Sequence, residues 1–224
     1  MIVSELKEIC KLVNMSRVID EFTILKDGHI VGVDIPKTVV VDLKYDIKLS
    51  KDICITNVKG VSETLGKFSD DTNIEIVDDR LNLVKGDKFY KIPLKNNEEP
   101  KFNLPTLTED DYQVIAEGID HNILNELGKL RTQSLTDELY YFYVIDNKLM
   151  MRIGDETSAY GGNFIGNTKK CTSNETMKLT MNVSECLKSI STMSNIKLCF
   201  GILMMIECNT EKYNVKYYLA PYVD

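Results

Sequence analysis

The lysines are the side chains best placed to do chemistry in this chain, and that chemistry is phosphate binding. Lys7, Lys11 and Asn14 recur at i, i+4 and i+7 near the N-terminus, so a helix would stack them on one face. Asn125, Lys129 and Thr132 repeat the spacing in the second half. Neither stripe contains an acidic residue. Lys67 and Lys188 fall on two further helix-like segments, and Arg131 lies close to Lys129. A few such cations can neutralise phosphates by counterion release without reading sequence. Lysines on solvated helix faces look the same, and spacing leaves both readings open.

Catalytic chemistry finds no foothold. The two histidines, His29 and His121, sit in no motif for a nucleophile, a metal or a general base. There is no Gly-x-x-x-x-Gly-Lys-Ser/Thr loop and no Gly-x-Gly-x-x-Gly turn; Gly60 to Gly66 lacks the lysine and hydroxyl that should follow, and Gly161-Gly162 stands alone. Asp70-Asp71 and Asp78-Asp79 are sequence neighbours that suit solvated turns better than a carboxylate dyad. Six cysteines are scattered singly with no Cys-x-x-Cys pair, which predicts free, mostly buried thiols and no zinc. A hydrolase using Cys186 and a histidine would lack an orienting group. The expectation is a protein that is not an enzyme and takes no cofactor or metal.

Charge and hydropathy set the frame for those lysines. The formal net charge is −7 and the hydrophobic share 43%, ordinary for a globular chain. An acidic balance argues against a simple basic nucleic-acid binder. The acids, however, gather away from the lysine stripes, at Asp20-Glu21, Asp70-Asp71, Asp78-Asp79, Glu98-Glu99, Glu109 to Asp111 and Asp155-Glu156. Such segregation lets an acidic protein offer a weakly basic face to phosphate. No stretch is long and apolar enough to span a bilayer, and the start does not read as a signal peptide. A soluble intracellular protein with no membrane partner is expected.

The elements that must carry these side chains follow from periodicity. Leu6, Ile9, Cys10 and Val13 predict an N-terminal amphipathic helix. Strands are predicted over Asp20 to Leu25, Ile30 to Val33, Thr38 to Tyr45 and Ile53 to Val58, with a turn at Asp27-Gly28. A short helix from Val61 to Ser69 precedes strands at Asn73 to Val77, Leu81 to Val84 and Lys88 to Pro93. Tyr112 to Gly118 reads as strand or helix, and Thr108 to Asp111 as a possible helix start. A helix from His121 to Thr132 leads into a hairpin, Leu139 to Ile145 and Leu149 to Ile153. The glycine-rich Thr157 to Lys170 suggests a loop over part of its length. A strand from Met177 to Val183 then meets a helix starting at Ser184-Glu185. Strands at Ile196 to Phe200, Leu203 to Cys208 and Tyr213 to Pro221 finish the chain.

The chain also repeats itself. Ser62-Glu63-Thr64-Leu65 with Asn73-Ile74 returns, without a gap, as Ser184-Glu185-Cys186-Leu187 with Asn195-Ile196. Leu6, Glu8, Ile9, Lys11 and Leu12 face Leu124, Glu126, Leu127, Lys129 and Leu130, and Phe22 to Ile30 faces Phe142 to Leu149. Two segments repeating in the same order predict two copies of one domain in these 224 residues. Pro93, Pro100 and Pro105 bracket the polar run Lys95 to Glu99, the natural linker. The domains expected are 1–93 and 112–224, joined by 94–111.

At the C-terminus, Lys216-Tyr217-Tyr218-Leu219-Ala220-Pro221 closely resembles the last strand of the DNA sliding clamp family, the proliferating cell nuclear antigen family. Met177 to Met181 leading to Cys186-Leu187 looks like that family's strand and following helix, and the duplication carries the likeness along the chain. The resemblance implies an α+β DNA-clamp fold: two similar domains, each with two helices packed on antiparallel sheets, closing head-to-tail as a homotrimeric ring around double-stranded DNA. It implies a processivity factor for DNA polymerase at sites of replication, nuclear or viral, with a clamp loader to open the ring. Helices would line the hole, so Lys7, Lys11, Lys67, Lys129, Arg131 and Lys188 would meet phosphates. A pocket under the linker would take short motifs from polymerases and other proteins, using Val33, Val39, Leu104, Tyr218, Leu219, Ala220 and Pro221. The chain departs from the family in having a short tail and few basic helix residues. A clamp-like factor binding DNA as a monomer or dimer, and a DNA-independent scaffold, are the rival readings.

Overall fold

A computed structural model describes residues 1–15, 18–86, 88–95, 104–130, 139–154 and 162–223. The chain divides into two compact units, residues 1–102 with 211–215 and residues 103–210 with 216–224. Both are α+β, and both run through their elements in the same order.

The first unit opens with helix α1 (Val3–Asn14), which buries Val3, Leu6, Ile9, Cys10, Leu12 and Val13. Glu5 accepts the Ile2 amide at 2.7 Å, satisfying a donor that the first turn leaves free. Strands β1 (Glu21–Ile24), β2 (His29–Val33), β3 (Val39–Tyr45) and β4 (Ile53–Thr56) follow, in the spatial order β3-β2-β1-β4. The β1–β2 turn needs Gly28: its φ is +81°, and a Cβ there would lie 2.2 Å from the Tyr45 carbonyl oxygen. Helix α2 (Val58–Leu65) packs on α1. A separate antiparallel sheet is made of β5 (Ile74–Val77), β6 (Arg80–Lys85) and β7 (Lys88–Pro93), with β7 at its edge.

In the second unit a single 3₁₀ turn, Glu109–Asp111, leads into β8 (Val114–Ile119). Helix α3 (His121–Lys129) comes next, then β9 (Tyr140–Ile145), β10 (Lys148–Ile153), β11 (Asn163–Cys171) and β12 (Met177–Leu179). Helix α4 (Asn182–Ser189) is followed by β13 (Ser194–Cys199), β14 (Leu203–Asn209) and β15 (Tyr213–Leu219). Strands β12-β9-β10-β11 repeat the spatial order β4-β1-β2-β3. Residues paired by the sequence repeat do the same job in each copy: Leu6 and Leu124, Phe22 and Phe142, Ile30 and Leu149, Leu65 and Leu187, and Ile74 and Ile196 are all buried. Strand β8 pairs with both β11 and β13. The corresponding place before α1 holds only the isolated bridge Ile2 to Asn73.

Two expectations shift, and two open readings resolve. Helix α2 starts three residues before the expected Val61, because Asn57 caps it: its side-chain oxygen accepts the Gly60 amide at 3.1 Å. The strand expected to reach Val183 stops at Leu179, and α4 begins at Asn182. Ser184 is therefore inside the helix rather than its cap, with a buried hydroxyl lacking a partner. Tyr112 to Gly118 resolves as strand from Val114 on, and part of the glycine-rich stretch forms β11, whereas residues 155–161 lie outside the described residues.

Candidate functional site

The helix faces decide which lysines are available. Lys11 on α1 and Lys129 on α3 are exposed, and neither engages a partner among the described residues. Lys67 is also exposed, but it lies just past the end of α2 at Leu65 rather than on the helix as expected. Lys7 is tethered: its ammonium donates to Asp70 at 2.7 Å and to the Phe68 carbonyl at 3.4 Å. Lys188 is held by Glu185 one turn back on α4. Arg131 and Thr132 lie outside the described residues.

The amides of the two stripes serve the fold. Asn14 donates to the Ile19 carbonyl at 2.6 Å, and Asn125 donates to His121 and Ile190 carbonyls, both at 2.7 Å. Acidic neighbours are partly used as well: Glu8 accepts the Tyr45 hydroxyl at 2.5 Å, and Glu63 pairs with Lys59 at 3.7 Å. Glu126 stays exposed one turn before Lys129. Of the cations expected on helix faces, those exposed without a partner among the described residues are thus Lys11, Lys67 and Lys129, fewer than the sequence suggests.

A second candidate surface lies in the second unit. Tyr112, Ile115, Cys199, Leu203 and Met205 form a buried apolar cluster, and the half-buried Leu107 and Tyr218 pack against it. Desolvation, reinforced by the charges of Cys199 and Glu109, pushes the Tyr112 phenol up to about 12. Its hydroxyl reaches the Met205 sulfur at 3.7 Å. Lys197, almost wholly buried, lies 5.6 Å from the Tyr112 ring centroid and pairs with Glu109, whose carboxyl is held below the usual range by that ammonium. Beyond Tyr218, Leu219 is buried, Ala220 exposed and Pro221 half-buried. The chain end is fixed by the Tyr222 amide donating to the Lys178 carbonyl at 2.8 Å.

The remaining pocket residues have mixed exposure. Val33 and Leu104 are half-buried, and Val39 is core at 1% exposed. Between Val33 and Val39 the chain makes a tight turn that joins two predicted strands. Asp34 is buried and accepts from the Val39 amide (2.8 Å) and the Thr38 hydroxyl (2.7 Å). That turn holds Ile35 98% exposed. An apolar residue before Pro36 in a polar turn was the available signal; Leu107 gave none, because its environment is tertiary.

No metal-holding cluster of histidine, cysteine or acid occurs among the described residues. His29 contacts Asp42 at 2.7 Å and His121 contacts Asp120 at 3.3 Å, both on the surface. Cys186 is fully buried, and desolvation pushes its thiol well above the ordinary value, the reverse of what a nucleophile requires. No described helix is long and apolar enough to cross a membrane.

No protein-family model matches the sequence, and a search of curated proteins finds no match. Solved structures do match. The chain superposes on Proliferating Cellular Nuclear Antigen from Entamoeba histolytica with TM-score 0.74 and 16% identity, covering 99% of this chain and 96% of that one. It superposes on the PCNA of A. fulgidus, bound to the C-terminal region of FEN-1, with TM-score 0.72 and 13% identity, covering 100% and 97%. The PCNA2–PCNA3 complex from Sulfolobus tokodaii gives TM-score 0.68 and 13% identity, covering 98% of each chain. At these identities the likeness is one of fold, and the fold is that of the PCNA sliding clamps along essentially the whole chain.

Proposed function

We propose that this chain is a DNA sliding clamp: a homotrimeric ring that encloses duplex DNA and tethers DNA polymerase and other replication proteins, with no catalysis of its own. The observation that carries this reading is the fold likeness over nearly every residue of both chains compared, joined to a doubled architecture. A ring that holds DNA by enclosure needs no tight or sequence-specific grip. Sparse cations such as Lys11, Lys67 and Lys129 then suffice, and weak phosphate contacts permit sliding. Tethering raises the local polymerase concentration at its template.

Strand edges left unpaired among the described residues support ring closure. Strand β7 ends its sheet and leaves Phe89 52% exposed. On β11, the Phe164–Asn167 stretch pairs with β10 on one side, while β8 covers only the stretch from Thr168 onward; Phe164 is 46% exposed. Laying β7 of one protomer along β11 of the next would cover both edges and both phenylalanines. Such a head-to-tail contact closes into a ring when the rotation is right. Domain 1 is then residues 1–93, the linker 94–111 and domain 2 residues 112–224. Short apolar motifs of partner proteins would dock at the Tyr112–Tyr218 cluster with Leu104, Ala220 and Pro221; the A. fulgidus protein is itself solved with the C-terminal region of FEN-1 bound. A loader opens the ring at replication sites.

Native mass spectrometry tests the assembly, with three times the 25.5 kDa chain expected. Replacing Phe89 or Phe164 with Asp should leave monomers. The closed ring should stay on nicked circular DNA and leave after linearisation. A wild-type monomer at micromolar concentration would refute the ring and favour a monomeric DNA-binding factor. Retention that survives linearisation would refute enclosure.

A further inference from the structure

The first unit carries a polar groove of about 350 Å³ lined by Ser69, Asp71, Thr72, Asn73, Glu75, Asn82 and Val84. That volume sits at the low end of small-ligand sites. Glu75 on β5 and Asn82 on β6 are directly paired in register, so their side chains stand side by side on one sheet face. Val84, two residues along β6, shares that face and is 56% exposed. Asn82 forms the floor: it is 9% exposed, and its side-chain oxygen accepts no hydrogen bond. A buried amide oxygen without a donor is costly, and a donor entering the groove would relieve that cost.

The groove's charge is also uncompensated. Neither Asp71 nor Glu75 forms an ion pair among the described residues. Lys91, opposite Asn82 across the β6–β7 ladder, does not close on them; its ammonium lies 5.1 Å from the Phe89 ring centroid. The Ser69 and Thr72 hydroxyls bond each other at 2.9 Å. What the groove lacks is a cation with several N–H donors.

A bare metal ion fits poorly. The space is far larger than one ion, and two carboxylates are fewer than a tight divalent site gathers. A guanidinium on an aliphatic stem fits on every count. Its planar fork offers five donors to carboxylates and an amide oxygen together, where an ammonium offers three. Its methylenes can lie along exposed Val84 while the head reaches the acids. The geometry points to this groove as a docking site for an arginine side chain from a partner polypeptide. The groove belongs to the first unit alone and needs no second protomer.

The test is a titration of the full-length, isotope-labelled protein with the blocked peptide acetyl-Gly-Arg-Gly-amide, followed by NMR. Saturable shifts are expected at the Asn82 side-chain amide and at the backbone of Thr72 and Glu75. The citrulline analogue, equal in shape but uncharged, should shift none of them. The exposed pair Asp71→Asn and Glu75→Gln should weaken peptide binding at least about tenfold, as expected for loss of charge-assisted hydrogen bonds. Equal shifts with citrulline, unchanged binding in the double variant, or shifts with magnesium ion but not the peptide would each overturn the assignment.

Discussion

Replacing Lys11 and Lys129 together with alanine should flatten the salt dependence of DNA binding while leaving assembly intact. Both ammonium groups are exposed and unpaired among the described residues, so each is free to meet a phosphate. For duplex DNA, log K falls by about 0.9 per phosphate contact for each tenfold rise in salt. If one Lys11 and one Lys129 of the ring each touch a phosphate, the slope should change by about 1.8. Between about 50 and 200 mM salt, wild type should then lose about tenfold more affinity than the double variant. Fluorescence anisotropy of a labelled duplex across that range reads the slope directly. Lys7→Ala is the internal control. Its ammonium already serves Asp70 and the Phe68 carbonyl, so its loss should change the slope less than Lys11→Ala does. An unchanged slope in the double variant would refute the assignment of these lysines to the DNA face, and a Lys7 effect equal to that of Lys11 would refute the distinction between tethered and free cations.

Gly128→Ala should destabilise the protein, although alanine is the better helix former by about 1 kcal/mol. A Cβ at position 128 would stand 2.8 Å from the Ser184 carbonyl oxygen and 3.0 Å from the Lys188 amide, so the backbone of α4 must yield, at about 1–3 kcal/mol. A raised urea midpoint would contradict the close packing of α3 on α4. Glu109→Gln should cost up to about 1 kcal/mol at neutral pH, the scale of an ion pair whose carboxylate is largely exposed to solvent. Lys197 lowers the Glu109 pKa in the folded state, so this stabilisation is present above the unfolded carboxylate value and disappears as pH falls through the lower folded value. Urea melts of wild type and variant should converge in strong acid, and a gap persisting there would remove the ion pair as its cause. Changing Tyr218 and Pro221 to alanine should reduce stimulation of the cognate polymerase without changing oligomer mass, and wild-type stimulation in primer extension would remove both from the partner surface.

Much of the fold was legible because its signals are local. The spacing of Leu6, Ile9, Cys10 and Val13 identifies α1, and Asp146-Asn147, both at positive φ, mark the tight turn between β9 and β10. The less legible parts involve choices made elsewhere in the fold. Asn57 caps α2 from a left-handed conformation that no periodicity announces. β11 forms in a polar, glycine-rich stretch because β10 and β8 supply its hydrogen bonds. The candidate site divides the same way. The stripe Lys7-Lys11-Asn14 follows from helical spacing, but a spacing rule cannot know that Asp70 waits beside Lys7 or that the Ile19 carbonyl takes Asn14.

The sequence by itself determined the doubling of the chain, the order of its helices and strands, and the acidic balance that leaves lysines on helix faces. These depend on residue type and on separations of a few positions, where periodicity and turn chemistry act. Only the tertiary structure decided which lysines remain free, which apolar side chains gather around Tyr112, and that Asn82 is buried without a hydrogen-bond donor for its oxygen. Those outcomes turn on atoms far apart in sequence, as between Lys7 and Asp70 or Tyr112 and Met205. A short-range charge or packing interaction exists only once the fold has brought its partners together.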